Sequence, residues 1–255
     1  TAAFYVDENK EDSRQLEIPP NLTATASFNY RFGEAGVHTG WVQIDDDSLA
    51  LDNRRDFCIE IQDHIPALVL RETTPGIPQL DPAFFVAKAL DPFGNDPSKP
   101  RSLVQATVMD FQNLSHEVLS GQRVVVLVDV AGFRKSQMAI LRQFVRRGGS
   151  LIIFCGPKIK PRSYELFLGG QDPKDSLMPV AIHEPARGLV SHKDYRTLVG
   201  LDYNHLALHI FKGYRLPQTV KVYNAVPIDV PQDSPTRLLI GMSDGNPFLL
   251  ENRYG

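Results

Sequence analysis

The sequence predicts an α/β protein built on a parallel sheet with helices on its faces, preceded by a smaller all-β segment. Three observations carry that expectation. Residues 123–157 read as buried strand, loop, amphipathic helix, Gly-Gly stop and second buried strand, the βαβ unit of a parallel sheet with a right-handed crossover. Residues 1–63 instead alternate apolar and polar positions with the period of half-buried strands. Near Ile65 the charge changes with the pattern: residues 1–65 hold 5 Lys/Arg against 13 Asp/Glu, and residues 66–255 hold 22 against 17. The boundary is therefore placed after residue 64, giving an all-β domain over 1–64 and an α/β domain over 65–255.

In the first domain the runs AAFYV, LTATASFNYRF, HTGWVQID and DFCIEI each place an apolar or β-branched residue at every second position. Pro19-Pro20-Asn21, Gly33-Glu34-Ala35-Gly36 and Asp45-Asp46-Asp47-Ser48 supply turn chemistry between them. Phe28, Tyr30 and Phe32 then share one face, and Trp41 and Gln43 lie opposite Val42 and Ile44. Several short antiparallel strands with one buried face describe a β-sandwich or part of one. No α-helix longer than one turn is expected before residue 64.

In the second domain IPALVL is apolar throughout, as expected for a strand buried on both faces. Asp81 reads as an N-cap with Pro82 at the first helical position, and Phe84, Phe85, Ala89 and Leu90 follow. LVQATVM and VVVLVDV are the next two strands. Ser136 is read as the cap of a helix whose apolar stripe is Met138, Leu141 and Val145, widened by Ile140 and Phe144. Leu141 and Val145 are expected to be nearly inaccessible, and Arg142 and Arg146 to keep exposed head groups. Gly148-Gly149 stops that helix and SLIIFC is the fourth strand. SYELFL reads as a short helix, residues 169–215 as loop-rich, and TVKVYNAVPI and TRLLIGM as strands. Asp244-Gly245 then turns into PFLLEN. The order of these elements is flavodoxin-like.

Composition narrows the function classes. A hydrophobic content of 42% with 22% charged residues is that of a soluble globular protein. No apolar run approaches the roughly 20 residues that span a bilayer, and no signal-peptide pattern is read in the residues given. The modest cationic surplus of residues 66–255 is no nucleic-acid footprint. Cys58 and Cys155 fall in different predicted domains, so no disulfide framework is expected. The chain starts at Thr1 and ends in ENRYG, inside an apparent strand. Both ends suggest a piece of a longer polypeptide, whose anchor or export signal would lie elsewhere.

The block running from Asp47 to Phe57, DSLALDNRRDF, resembles one in large bacterial envelope proteins of the BatA-like, aerotolerance type. These carry an N-terminal double-transmembrane segment and a von Willebrand A domain. In them a short Ig-like segment ending in a D-x-L-x-x-D-N-x-R-x-F pattern runs into a domain similar to class I glutamine amidotransferases and the ThuA-like group. Further matches are Asp81, Phe84-Phe85, Leu90-Asp91-Pro92-Phe93-Gly94, FVRRGGSL from Phe144, and the D-G-x-P-x-L-x-E-x-R-Y-G stretch from Asp244 to Gly255. The resemblance spans most of the chain and is weakest across 160–215. It implies a membrane-anchored parent in the bacterial cell envelope, with this region soluble and periplasmic. It also implies that the α/β domain continues past residue 255.

The same resemblance identifies Cys155 as the candidate nucleophile, because amidotransferases carry theirs on a tight turn after such a strand, with Gly two residues before and after. Here Ile153 and Pro157 occupy those positions, and Pro157 has no N–H to offer an oxyanion. The downstream His-x-Glu is absent, since His183 and Glu184 are adjacent. Cys155 therefore reads as a buried small apolar residue. Glu72, Asp129, Cys155 and Lys158 fall near the carboxyl ends of three strands, where open α/β sheets bind ligands. His205 and His209 have the spacing of two metal ligands, and His192 alone lies close enough in sequence to suggest a third. The Glu that a metalloprotease motif needs is replaced by Leu206. Asp45, Asp46, Asp47 and Asp52 lack the spacing of a calcium loop and read as a solvated turn. Arg142, Arg146, Arg147, Lys158, Lys160 and Arg162 form a solvated basic face, or a surface for an acidic partner.

No catalytic residue, metal or cofactor is assigned. The expected function is a non-catalytic interaction or scaffold module, partnered by another protein or by other domains of the parent chain, with no nucleic acid. The alternatives are a cysteine-dependent hydrolase or amidotransferase using Cys155, and a small-ligand sensor at the carboxyl edge of the sheet.

Overall fold

The computed structural model describes residues 1–20, 22–45, 52–72, 76–77, 80–94, 96, 98–169, 176–185, 194–214 and 219–254. The chain divides into two units, Thr1–His64 and Ile65–Gly255.

In the first unit β1 (Ala2–Val6), β2 (Asn9–Arg14), β3 (Gly36–Ile44) and β4 (Arg54–Ile61) form one antiparallel sheet in the order β2-β1-β3-β4. Its described residues contain no helix. The β1–β2 hairpin turns on Asp7 and Glu8, both left-handed at φ 46° and 69°. That pair of angles matches the twist of the flanking strands. Strand β2, NKEDSR, has no apolar alternation; its place comes from backbone pairing with β1.

The strand expected in LTATASFNYRF is not formed: the described residues 22–32 join no ladder. They lie against the sheet through their rings instead. Phe28 stacks on Phe4 at 5.3 Å, Tyr30 meets Phe4 edge-on at 6.2 Å, and Phe32 packs on Tyr30 at 4.9 Å and on His38 at 4.8 Å. Alternation here marks a segment covering the sheet, and no second sheet of a sandwich is present among the described residues. On the opposite face Tyr5 stacks on Trp41 at 4.7 Å, with the Arg54 guanidinium 4.1 Å above the indole.

His38 fastens the hairpin turn to the loop before β3. Its Nδ1 lies 2.5 Å from Asp7 Oδ2 and its Nε2 lies 3.0 Å from the Glu34 carbonyl oxygen. Two acceptors on one ring favour the imidazolium, in which both nitrogens donate. The bond to Asp7, then that to Glu34, raises the His38 pKa above its ordinary value, and the same bond lowers that of Asp7.

The second unit is mixed α/β. Strands β5 (Ile65–Arg71), β6 (Val104–Asp110), β7 (Val124–Val128) and β8 (Ser150–Phe154) form a four-stranded, all-parallel sheet in the order β6-β5-β7-β8. The crossovers hold α1 (Pro82–Leu90), α2 (His116–Leu119) and α3 (Lys135–Arg146); α4 (Pro161–Leu168) follows β8. Helix α1 covers one face through Ala83, Val86, Ala87 and Leu90, packed on Val69, Val126 and Val128. The other face carries the larger core, where Leu68, Leu70, Val125 and Leu127 meet Leu141, Phe144, Tyr164 and Phe167. No helix among the described residues is long and apolar enough to cross a membrane.

Four details depart from the sequence reading. Helix α3 begins two residues early, with Arg134 at the cap position and its N–H held by Gln137 Oε1 at 2.9 Å; Ser136 lies in the first turn. Leu141 is fully buried but Val145 is only half-buried, because the helix is rotated toward Leu141 and Phe144. The Arg142 side chain is partly buried and its head group is engaged by backbone. It donates to the Phe167 carbonyl at 2.6 Å, to that of Leu166 at 3.3 Å and to that of Gly169, tying down the carbonyls at the end of α4. Strand β8 is buried on one face only: Leu151 and Ile153 join the core, while Ile152 and Phe154 remain 42% and 48% exposed.

The remaining elements are β9 (Ala181–Ile182), β10 (Arg196–Val199), α5 (Leu206–His209), β11 (Lys221–Val222), β12 (Ile228–Asp229), β13 (Arg237–Met242) and β14 (Pro247–Glu251). They build a second, antiparallel sheet, β11-β10-β13-β14, and a separate pair, β12-β9. The β13–β14 hairpin turns at Asp244-Gly245, with Gly245 at φ 90°.

Two expectations follow. Leu141→Ala should lower unfolding stability by about 2–5 kcal/mol, the cost of a cavity in a packed core. Val145→Ala should cost clearly less; equal losses in urea titrations would place the helix in the wrong rotation. For His38, the raised imidazole pKa contributes stability that is complete below the unfolded value of about 6.5. That contribution disappears as pH rises through the folded value. Asp7, shifted the other way, contributes above about pH 4 and loses its part as pH falls through its own folded value. His38→Gln should therefore remove stability chiefly between about pH 4 and 6.5, and a flat difference in melting temperature across pH 4–9 would contradict this.

Candidate functional site

Because all four parallel strands run the same way, the residues that follow them arrive at one edge. The strand order reverses between β5 and β7, and the crevice at that switch point is where ligands bind in open α/β sheets. Here it is bridged from within. Glu72, directly after β5, accepts the Ala131 N–H through Oε2 at 2.9 Å. Arg71, the last residue of β5, donates from Nε to Asp110 Oδ1 at 3.0 Å and from Nη1 to Asp81. Asp81 also caps α1, accepting the Ala83 N–H at 3.0 Å.

Asp129 follows β7 in the left-handed region at φ 48°, uncommon for a residue with a side chain. Its Oδ1 accepts the Lys158 N–H at 3.0 Å, and the Lys158 ammonium lies 3.8 Å from Oδ2. Burial raises the Asp129 pKa, and the Lys158 amide and ammonium pull it back. Gly156 is required beneath it, since a Cβ built there would sit 2.4 Å from Asp129 Oδ1. The loop is anchored further on: Lys160 N donates to the Ala131 carbonyl at 2.8 Å, Ser163 Oγ accepts the Phe133 N–H at 2.9 Å, and Tyr164 Oη donates to the Val130 carbonyl at 2.6 Å.

The edge thus brings Glu72, Asp129, Cys155 and Lys158 together. Cys155 is not the buried apolar residue that the sequence suggests. It is exposed at the end of β8, where the strand runs out of its helical cover. Its sulfur is nevertheless crowded by protein atoms, and burial first, the Asp129 charge second, push the thiol up to about 11. Among the described residues no histidine bonds to the sulfur. At neutral pH such a thiol is protonated and a weak nucleophile.

The other candidates lie apart from this edge. His205 is the N-cap of α5: its Nδ1 accepts the Ala207 N–H at 3.3 Å and its Nε2 faces Glu251 at 3.2 Å. Both nitrogens are engaged, so His205 and His209 do not present a pair of ligands. No group of three or more His, Cys, Asp or Glu side chains suited to a metal occurs among the described residues. Asp46, Asp47 and His192 lie outside those residues, and Asp45 pairs with the Thr1 amino group. The basic face divides, with Arg142 on α4 and Arg146 on the Tyr254 hydroxyl at 2.9 Å. Sequence reading missed Arg71, Asp110, Ser163 and Tyr164. Only Arg71 and Asp110 carried a signal, as charges placed directly after strands.

No family model and no curated protein matches this chain. Among solved structures it is similar to a crystal structure described as a ThuA-like protein from Bacteroides uniformis, with 13% identity and a TM-score of 0.48, covering 76% of this chain and 81% of that one. A likeness at that distance carries no chemistry across.

Gly156→Ala should displace the Asp129 carboxylate from the Lys158 amide and cost about 1–3 kcal/mol, the usual range for forcing atoms into filled space. Thermal melts check this; an unchanged melting temperature would mean that the Asp129 loop is free to move.

Proposed function

We propose that this region is a non-catalytic interaction module of a larger bacterial cell-envelope protein, with an amidotransferase-like scaffold that has no working nucleophile. The observation that carries the reading is the bridge across the switch-point crevice, where the Glu72 carboxylate holds the Ala131 N–H. A site built for phosphate or an oxyanion would leave such an N–H pointing at the ligand. The neighbouring charges are also matched to one another, Arg71 to Asp81 and Asp110, Lys158 to Asp129. The envelope assignment and the Ig-like reading of the first unit rest on the resemblance of the 47–57 and 244–255 blocks. Partners on this reading are proteins or other domains of the parent chain.

The cysteine-dependent alternative requires a thiolate near neutral pH, and the thiol at about 11 beside Asp129 speaks against it. Alkylation by iodoacetamide, followed across pH, should show slow modification at pH 7 and an inflection near 11. Cys155→Ala should keep the fold and the biological role. Fast, saturable labelling at pH 7 that is lost on unfolding, or loss of the role in Cys155→Ala, would overturn the non-catalytic reading.

A further inference from the structure

The opposite edge of the parallel sheet, where its strands begin, holds a cleft of about 290 Å³. It lies between the end of α2, the turn leading into β7 and the last turn of α3. Its floor is apolar: Leu119, Ile140 and Phe144 line it, and Leu119 and Phe144 belong to the core. His116, Arg123 and Arg147 stand around it, with Gln122 and Gln143 between them. No acidic side chain lines it. The Arg123 and Arg147 head groups are exposed and form no ion pair among the described residues.

We propose that this cleft binds a small amphipathic carboxylate, its charged group between Arg123 and Arg147 and its apolar part on Leu119, Ile140 and Phe144. Guanidinium groups bind carboxylates through paired N–H donors, and two of them with no competing anion provide both charge and geometry. The volume sits at the lower end of small-molecule sites, which commonly measure about 300–1,000 Å³. An apolar floor under a few polar groups is the usual composition of such sites.

Gln122 supplies a second, independent observation. Its Oε1 is sealed from solvent and has no hydrogen-bond partner. A buried amide oxygen without a donor is costly, and turning this amide into the cleft breaks no bond that the oxygen makes. A carboxylate has no proton to give that oxygen, so the amide would serve the ligand through its NH2 group, turned into the cleft as a donor. The carbonyl end of α3 faces the same region and contributes partial negative charge. Binding thus depends on the two guanidinium groups rather than on the helix, and a compact, highly charged anion with no apolar part is disfavoured.

The test uses the 255-residue chain and three probes: 3-phenylpropionate, its neutral counterpart 3-phenylpropanol, and inorganic phosphate. Amide NMR shifts are followed in a titration to about 10 mM, a range that reaches millimolar affinities. The acid should shift residues 121–123 and 147–149 saturably, and should bind about tenfold more tightly than the alcohol or phosphate. Arg123→Gln with Arg147→Gln should abolish that preference while the circular dichroism spectrum stays unchanged. Absence of saturable shifts, equal binding of the alcohol, or equal binding of phosphate would each overturn the proposal. So would a folded double variant that binds the acid as well as the parent does. If the double variant does not fold, the acid-against-alcohol comparison on the parent chain still decides.

Discussion

Strand β5 has a parallel neighbour on each side, and along it residues 67–70 are each at or below 1% exposure. Four consecutive buried positions leave neither face for water. Both faces must therefore be covered, and parallel pairing supplies the cover, because each return to the starting edge needs a crossover long enough to hold a helix. Helix α1 closes one face, and α3 with α4 closes the other. The same parallel arrangement sends Arg71, Asp110, Asp129 and Cys155 to a single edge. The candidate site is thus a consequence of how β5 is buried.

That edge concentrates Glu72, Asp81, Asp110 and Asp129, and two cations, Arg71 and Lys158, pair with three of them. Charges brought this close are tolerated when each finds a donor, and a half-buried carboxylate without one is costly. The observed pairing meets the requirement with backbone N–H groups where cations run short: Ala131 for Glu72, Lys158 for Asp129 and Ala83 for Asp81. A poised catalytic site differs in kind, because it holds an acid or a nucleophile near its working pKa. Cys155 is displaced away from that range, and Asp129, which is raised, owes its shift first to burial, with the Glu72 charge adding to it and Lys158 opposing it.

The parallel sheet was legible because its strands are apolar on both faces and its helices have the opposite period; all four strands fall within a residue or two of their expected places. The misreadings have a common cause, in that periodicity reports burial and not hydrogen-bond partners. Residues 22–32 alternate because their rings cover β1 and β3, although they join no ladder. Strand β2 is polar and pairs through its backbone alone. In SLIIFC a fully apolar run hides one exposed face, since nothing in the run shows where helical cover ends. The carboxyl edge was legible as a location, through Glu72, Asp129, Cys155 and Lys158. Its closure was not, because Glu72 meets Ala131 across a sequence separation of 59 residues, and Ser163 meets Phe133 across 30.

The two edges of one sheet therefore treat charge differently. At the carboxyl edge anions outnumber cations and every carboxylate named above has a donor. At the amino edge Arg123 and Arg147 stand without an acidic neighbour in their cleft. The cationic surplus of residues 66–255, 22 against 17, is thus not spread evenly over the unit. Strand direction sets part of the contrast, because the left-handed turn at Asp129 and the Glu72 bridge need backbone N–H groups that the carboxyl-edge loops supply. The amino-edge turn at residues 120–123 offers side chains instead, and a guanidinium on a short turn keeps its charge in water until something anionic displaces that water.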